Sequence, residues 1–272
     1  VTGDDARPAS RSPQARFAIV TVGLAIALFL AMLVFFEVGR RLGINAFERS
    51  GESARSGVGS VDGAVYALLS LLMGFTFSGA ATRFMAKQEL LVQESSAIRT
   101  VWQRIDAMPV ESQAATRRLL REFTDAVIAA HRQMPGSPAE TRDSDRIARV
   151  REELWSLALA SSLTTAGDQA RMLVLPSLNE LFAHEERERL ARQIHPPTVL
   201  YGMIGATALA AAMFAGYSMS EATSRNWLHI IGVSATIAFA SYVILELEFP
   251  TRGLFRVDHI ERKLLELRAT MT

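Results

Sequence analysis

Apolar residues in this chain gather in four long runs, at about residues 16–36, 61–82, 198–219 and 227–247, each bounded by charged or Gly/Pro-containing sequence. The first, FAIVTVGLAIALFLAMLVFF, carries no charge between Arg16 and Glu37. A helix rises about 1.5 Å per residue, so about 20 apolar residues cross a hydrocarbon core about 30 Å thick. The runs VDGAVYALLSLLMGFTFSGAA, TVLYGMIGATALAAAMFAGY and NWLHIIGVSATIAFASYVILELE reach that length too. Lipid offers backbone N–H and C=O groups no partner, and the runs lack the alternation of barrel strands, so each predicts a membrane-spanning helix. The expected fold class is all-α: a polytopic membrane protein with four transmembrane helices and a helical cytoplasmic domain.

Between the second and third runs the pattern changes. Residues 83–107 set Phe84, Leu91, Ile98, Trp102 and Ile105 at heptad-like spacing among charges, and nothing before Pro109 breaks the helix. A second amphipathic helix is expected at about 111–133, with Leu119, Leu120, Phe123, Val127 and Ile128 on one side. PGSP at 135–138 predicts a turn, and a third helix at about 140–163 contains Leu154, Trp155 and Leu157. Trp102 and Trp155 are expected in the core. Asp168 can cap a fourth helix that turns Leu173, Leu178, Leu181 and Phe182 inward, and its HEERERLAR tail reads as a solvated face. His195-Pro196-Pro197 marks the return to lipid, FPTRGLF a turn, and 256–269 a short amphipathic helix. The expected organisation is a disordered tail at 1–15, two spans within 16–82 and a helical domain at 83–197. Two more spans follow within 198–248, and a C-terminal helix within 249–272. The Gly/Ser-rich stretch 48–60 predicts a flexible loop.

Charge refines this picture. Charged residues make up 21% of the chain against 49% hydrophobic, so charge must be segregated into the water-exposed domain. A net charge of +1 gives no sign of a nucleic-acid partner. The absence of cysteine excludes a disulfide framework, a thiolate metal site and a thiol nucleophile. The first run exceeds a signal-peptide core, and Phe35-Phe36-Glu37 is a poor cleavage site, so it reads as an uncleaved span. With four spans, the N-terminus, the 83–197 domain and the C-terminus share one side and carry 3, 16 and 5 of the 29 Lys and Arg residues. The positive-inside rule places them in the cytoplasm of an inner membrane, against a contrary signal from Arg40, Arg41, Arg49 and Arg55.

The second span holds the most informative chemistry. On a 3.6-residue helix Asp62, Tyr66, Ser70, Met73 and Phe77 fall in one stripe. Polar residues in a membrane usually face a bundle interior or a water-filled path. The stripe can therefore line a pore, with Asp62 near the outer mouth, Tyr66 and Ser70 along it and Phe77 as an apolar constriction. It can also be packing between helices, for which Gly74, Ser78 and Gly79 leave room. At the end of the fourth span Glu246 and Glu248 point to different sides of the helix. One can pair with Arg83 or Arg252, and either can serve as an ion site at the inner mouth. The third span offers small residues, Gly202, Ala206 and Ala210 with Gly205, Ala212 and Gly216, for helix packing. Enzyme signals are poor: the five histidines are scattered, His184-Glu185-Glu186 lacks a second His at i+4, and no phosphate loop or GxSxG occurs. No cofactor and no metal site are expected.

Three segments, YALLSLLMGFTFSGAATRF, QESSAIRTVWQRIDAMP and LELEFPTRGLFRV, resemble the bacterial bestrophin-like domain family over about residues 20–260. The resemblance implies kinship with bestrophins, pentameric anion channels with four membrane helices and a helical cytoplasmic region. Residues 61–82 lack the Asn/Pro/Phe-rich neck of true bestrophins, and no acidic calcium-clasp run is evident, so anion selectivity and calcium gating do not carry over. The expectation is a homo-oligomeric ion channel, pentameric by resemblance, passing potassium or chloride across the lipid bilayer with a lean to cations from Asp62. An anion channel is one alternative. Another is a membrane-anchored signalling or scaffold protein whose cytoplasmic helices bind a partner through the 83–107 heptads.

Overall fold

Among the described residues, apolar periodicity and proline placement are realised as helices joined by short breaks. The computed structural model describes residues 13–50, 58–133, 136–163, 168–194, 196–221, 227–249 and 258–271. These form α1 (Pro13–Ser50), α2 (Val58–Arg104), α3 (Val110–Arg132), α4 (Pro138–Ser162), α5 (Leu175–Gln193), α6 (Thr198–Ser218), α7 (Trp227–Glu248) and α8 (Asp258–Thr270). No strand occurs among the described residues. The tail before Pro13, the centre of the 48–60 loop and the turn beyond Phe249 lie outside them, as does Arg252. The chain divides into two compact units, one of residues up to Arg83 with 196–255, the other of 84–195 with 256–272.

In the first unit four helical runs are long and apolar enough to cross a membrane. α1 packs along α6 and α7. The crossing of α1 and α6 depends on glycine, since a Cβ on Gly39 would strike the Met213 carbonyl and one on Gly216 the Phe36 carbonyl. Such close backbone approach is what small residues give membrane helices, where burial from water supplies no drive. Around the crossing Met32, Leu69, Ile204, Ala208, Ala211 and Ala212 form the core. The small-residue surface expected of the third span is split. Ala212 and Gly216 are buried, whereas Gly202 and Ala206 are exposed. Large apolar side chains point outward, with Leu24, Leu30, Phe75, Leu228 and Phe239 all more than half exposed. A surface of that kind fits lipid or neighbouring subunits and not water.

α1 outlasts its apolar run. The sequence pattern ends the helix near Phe36, yet it continues to Ser50. Glu37 and Arg41 pair one turn apart at 3.0 Å, and Gly43 packs against Ser220 and the Tyr217 carbonyl. Continued contact with α6 thus sustains a polar helix that hydropathy alone does not mark.

The second unit begins with the charged half of α2. Pro109 ends that helix as expected: Met108 turns extended (ψ 158°) after a 3-10 turn at Ile105–Ala107, and Pro109 caps α3. α4 starts on a variant of the capping box, in which Ser137 Oγ accepts the Glu140 N–H at 3.1 Å and Glu140 Oε2 accepts the N–H of Gly136, the residue before the cap, at 2.8 Å. The core gathers Ile98, Val101 and Ile105 with Leu120, Phe123, Val127, Leu154, Leu178 and Leu181. Each such side chain contributes about 1.5–3 kcal/mol on burial. α8 lays Leu264, Leu267 and Met271 on this core, and Arg268 clasps Asp125 at 2.7 and 3.0 Å. Trp102 and Trp155 pack at the edge of the core, not in its centre. The Trp102 ring lies under the Arg117 guanidinium at 4.6 Å, a cation–π contact. Leu173, expected inside, is 42% exposed, and its neighbour Val174 is fully buried. A π-helical turn over Ala170–Val174 accounts for the change, because i→i+5 winding rotates the register before α5 begins.

Candidate functional site

The predicted stripe on α2 is distributed over three environments within the first unit. Asp62, near the start of the helix, accepts a hydrogen bond through Oδ2 from the Ser218 hydroxyl at the end of α6. Its other oxygen, Oδ1, is buried without a hydrogen-bond partner. Tyr66, Ser70 and Met73 border a cleft of about 580 Å³ whose far wall is His229, Gly232 and Thr236 of α7. Tyr66 and Met73 also lean on the core around Leu69. Phe77, a turn further on, is 47% exposed. Ser70 is open as well, and it belongs to an uncovered sector with Gly63, Ala67, Gly74 and Ser78. Beside that sector lie Leu68, Leu71 and Phe75, also exposed.

Glu246 and Glu248 are both completely buried. Glu248 Oε2 accepts two bonds from Arg83, from Nε at 3.0 Å and Nη2 at 2.8 Å. Arg83, one of the two arginines considered from sequence, is therefore engaged; Arg252 lies outside the described residues. This charge-assisted contact, two donors on one carboxylate oxygen, ties the end of α2's apolar portion to the end of α7. Glu246 accepts from the Thr21 hydroxyl of α1 at 3.5 Å.

The second unit holds a cluster that sequence reasoning missed. The HEERERLAR tail is not wholly solvated, for Glu185 and Glu188 are 4% and 5% exposed. His131 Nε2, in the last turn of α3, stands 3.1 Å from Glu188 Oε2 and 3.5 Å from Glu94 Oε2 of α2. Arg192 Nε lies 3.0 Å from the same Glu188 oxygen, while its Nη1 donates to the Ala130 carbonyl at 3.1 Å. Glu185 faces Arg151 at 3.8 Å. Neither oxygen of Glu94 has a hydrogen-bond partner, and the side chain has no solvent exposure. Burial raises the Glu94 carboxyl to about 7 in spite of the neighbouring imidazole. Burial works against charge on His131 too, but Glu188 and then Glu94 outweigh it and hold the imidazole above its ordinary value. For Glu188 burial again opposes ionisation, and His131 and Arg192 reverse it and lower the carboxyl. Glu94, His131 and Glu188 each offer one ligand atom, all within 4.8 Å of one another, and together could hold a metal ion.

A sequence signal for this cluster did exist. Leu178, Leu181, Glu185, Glu188 and Arg192 follow one another at alternating steps of three and four, which is the core face of a helix. The charges conceal the periodicity that the leucines begin.

Four apolar helical runs and a charged helical unit define a polytopic, all-helical membrane protein. The chain belongs to the Bestrophin-like domain family, whose sequence model matches residues 26–260. Among solved structures it is similar to point-substituted forms of a bacterial bestrophin homolog from Klebsiella pneumoniae. One gives 14% identity and a TM-score of 0.65 over 89% of this chain and 99% of that one. A second gives 17% and 0.63 over 88% and 98%, and a third 16% and 0.63 over 92% and 98%. At such identity the likeness establishes the fold. A comparison with curated proteins yields no match.

Proposed function

We propose that this chain is the subunit of a homo-oligomeric ion channel whose pore is lined by α2, with cations preferred over anions. The observation that carries this reading is the uncovered sector of α2, where Ser70 and Phe77 lie open among Gly63, Gly74 and Ser78. Serine and glycine gain little from lipid, so a sector of that composition fits an aqueous axis or a neighbouring subunit. Four helices enclose too little space for an aqueous route, and the family kinship supports a pentamer as the ring that would supply one. Asp62, with one oxygen unsatisfied, would set charge preference at the outer mouth. Tyr66 and Ser70 would contact ions or their waters, Met73 would continue the wall, and Phe77 would form the constriction. Glu246 and Glu248 belong to the inner mouth in this reading, with the Arg83–Glu248 pair fixing the ends of two helices there. The distribution of arginine supports cytoplasmic termini and an inner-membrane location.

The test is the reversal potential of purified, assembled protein in a planar bilayer under a potassium chloride gradient. Reversal near the potassium potential is expected. Reversal near the chloride potential would make it an anion channel, with Asp62 a packing residue. Phe77→Ala is expected to raise basal conductance severalfold, because a wider apolar constriction dewets less readily. Unchanged flux with intact assembly would remove Phe77 from the gate. Absence of current across calcium and pH would favour a scaffold role.

A further inference from the structure

The Glu94–His131–Glu188 cluster lies wholly in the second unit and is independent of whether the chain conducts. We propose that these three side chains form a binding site for a divalent transition metal of the zinc class, with a fourth position left to water.

Geometry, burial and donor chemistry support the assignment separately. Tetrahedral zinc takes nitrogen at 2.0–2.1 Å and carboxylate oxygen at 2.0–2.2 Å, which sets neighbouring ligand atoms about 3.3–3.6 Å apart. His131 Nε2 lies 3.1 Å from one carboxylate and 3.5 Å from the other. The ligands come from α2, α3 and α5, so the convergence is not a by-product of one helix's local spacing. Glu94 is removed from solvent with both oxygens lacking a hydrogen bond and the His131 imidazole 3.5 Å away, a costly state that a closer cation or a proton would relieve. One imidazole and two carboxylates suit zinc or cobalt. Calcium takes six to eight oxygens, and magnesium keeps an octahedron of oxygens and water.

Charged side chains surround the three ligands. Arg192 is anchored on the Ala130 carbonyl next to His131 and lies against Glu188, which orients that carboxylate. Lys87 also faces Glu188, and Glu185, held towards Arg151, adds negative charge beside Glu94. A bound ion would fasten α2, α3 and α5 to one another.

The experiment uses tag-free, full-length protein stripped with a chelator and titrated with zinc and cobalt(II). Equilibrium dialysis with elemental analysis, the visible spectrum of bound cobalt and the thermal midpoint are the readouts. One metal per chain is expected, with the intense band of four-coordinate cobalt and a midpoint raised by zinc. Glu94→Gln and His131→Gln should each weaken binding at least about 100-fold and abolish the zinc-dependent rise, since each deletes a direct ligand. Glu185→Gln should leave affinity unchanged. Glu94→Gln removes a buried charge without creating one, so it is the variant expected to fold. Wild-type protein that takes up no stoichiometric metal, or whose cobalt complex shows only the weak spectrum of six-coordination, overturns the proposal. So does binding that persists undiminished in both ligand variants. A proton shared by Glu94 and His131 would then satisfy the carboxylate.

Discussion

Arg83 commits its guanidinium to a carboxylate that solvent does not reach. The Glu248 side chain is fully buried, while Arg83 keeps 32% of its side-chain surface. Removing one partner of a buried pair leaves an uncompensated charge, which typically costs 3–5 kcal/mol, whereas replacing both by apolar residues is often neutral. Because Arg83 is partly exposed, Arg83→Ala should cost about 3 kcal/mol, the lower end of that range. It should appear as a fall in the thermal midpoint in detergent. The double change Arg83→Leu with Glu248→Leu should recover most of the loss; no recovery would mean the pair does more than neutralise itself. This contact was legible in sequence, because an arginine just past one apolar run and a glutamate at the end of another come to the same depth. The Glu94 cluster was not, because its members stand 37 and 57 positions apart (94, 131 and 188) with no local motif to join them.

Among the elements, prediction succeeded where one physical signal dominated. Long apolar runs gave four spans, Pro109 gave the break between α2 and α3, and amphipathic spacing gave α8 and the inward face of α3. It failed where a tertiary contact overrode the local pattern. α1 continues past Phe36 because α6 lies alongside it, and Leu173 turns out because a π turn shifts the register of the residues before α5. The α1–α6 crossing makes its own prediction. Gly216→Ala would drive a methyl group into the Phe36 carbonyl, and backbone cannot step aside as a flexible side chain can. Overpacking costs 1–3 kcal/mol, and about 3 kcal/mol is expected here. Gly202→Ala meets open space and should be neutral or slightly stabilising, since alanine is the better helix former. Equal losses of stability at both positions, read by thermal denaturation, would show that the crossing is not the seat of the effect.

For the molecule as a whole, outward-facing Leu228 and Phe75 in the first unit set the assembly problem. Mild-detergent native mass spectrometry should give one closed oligomer, a pentamer on the proposed reading; a monomer or dimer would remove the ring on which α2 depends. Both units also carry charge inward, as Glu246 and Glu248 in one and Glu94, Glu185 and Glu188 in the other. The buried trio bears on ancestry. A lineage that lost His131 alone would leave two carboxylates facing each other without their imidazole, at a cost of several kcal/mol against a total stability of about 5–15 kcal/mol. Substitutions at the surface of α5 carry little such cost, whereas at positions 94, 131 and 188 a change at one alters the electrostatic cost of keeping the other two.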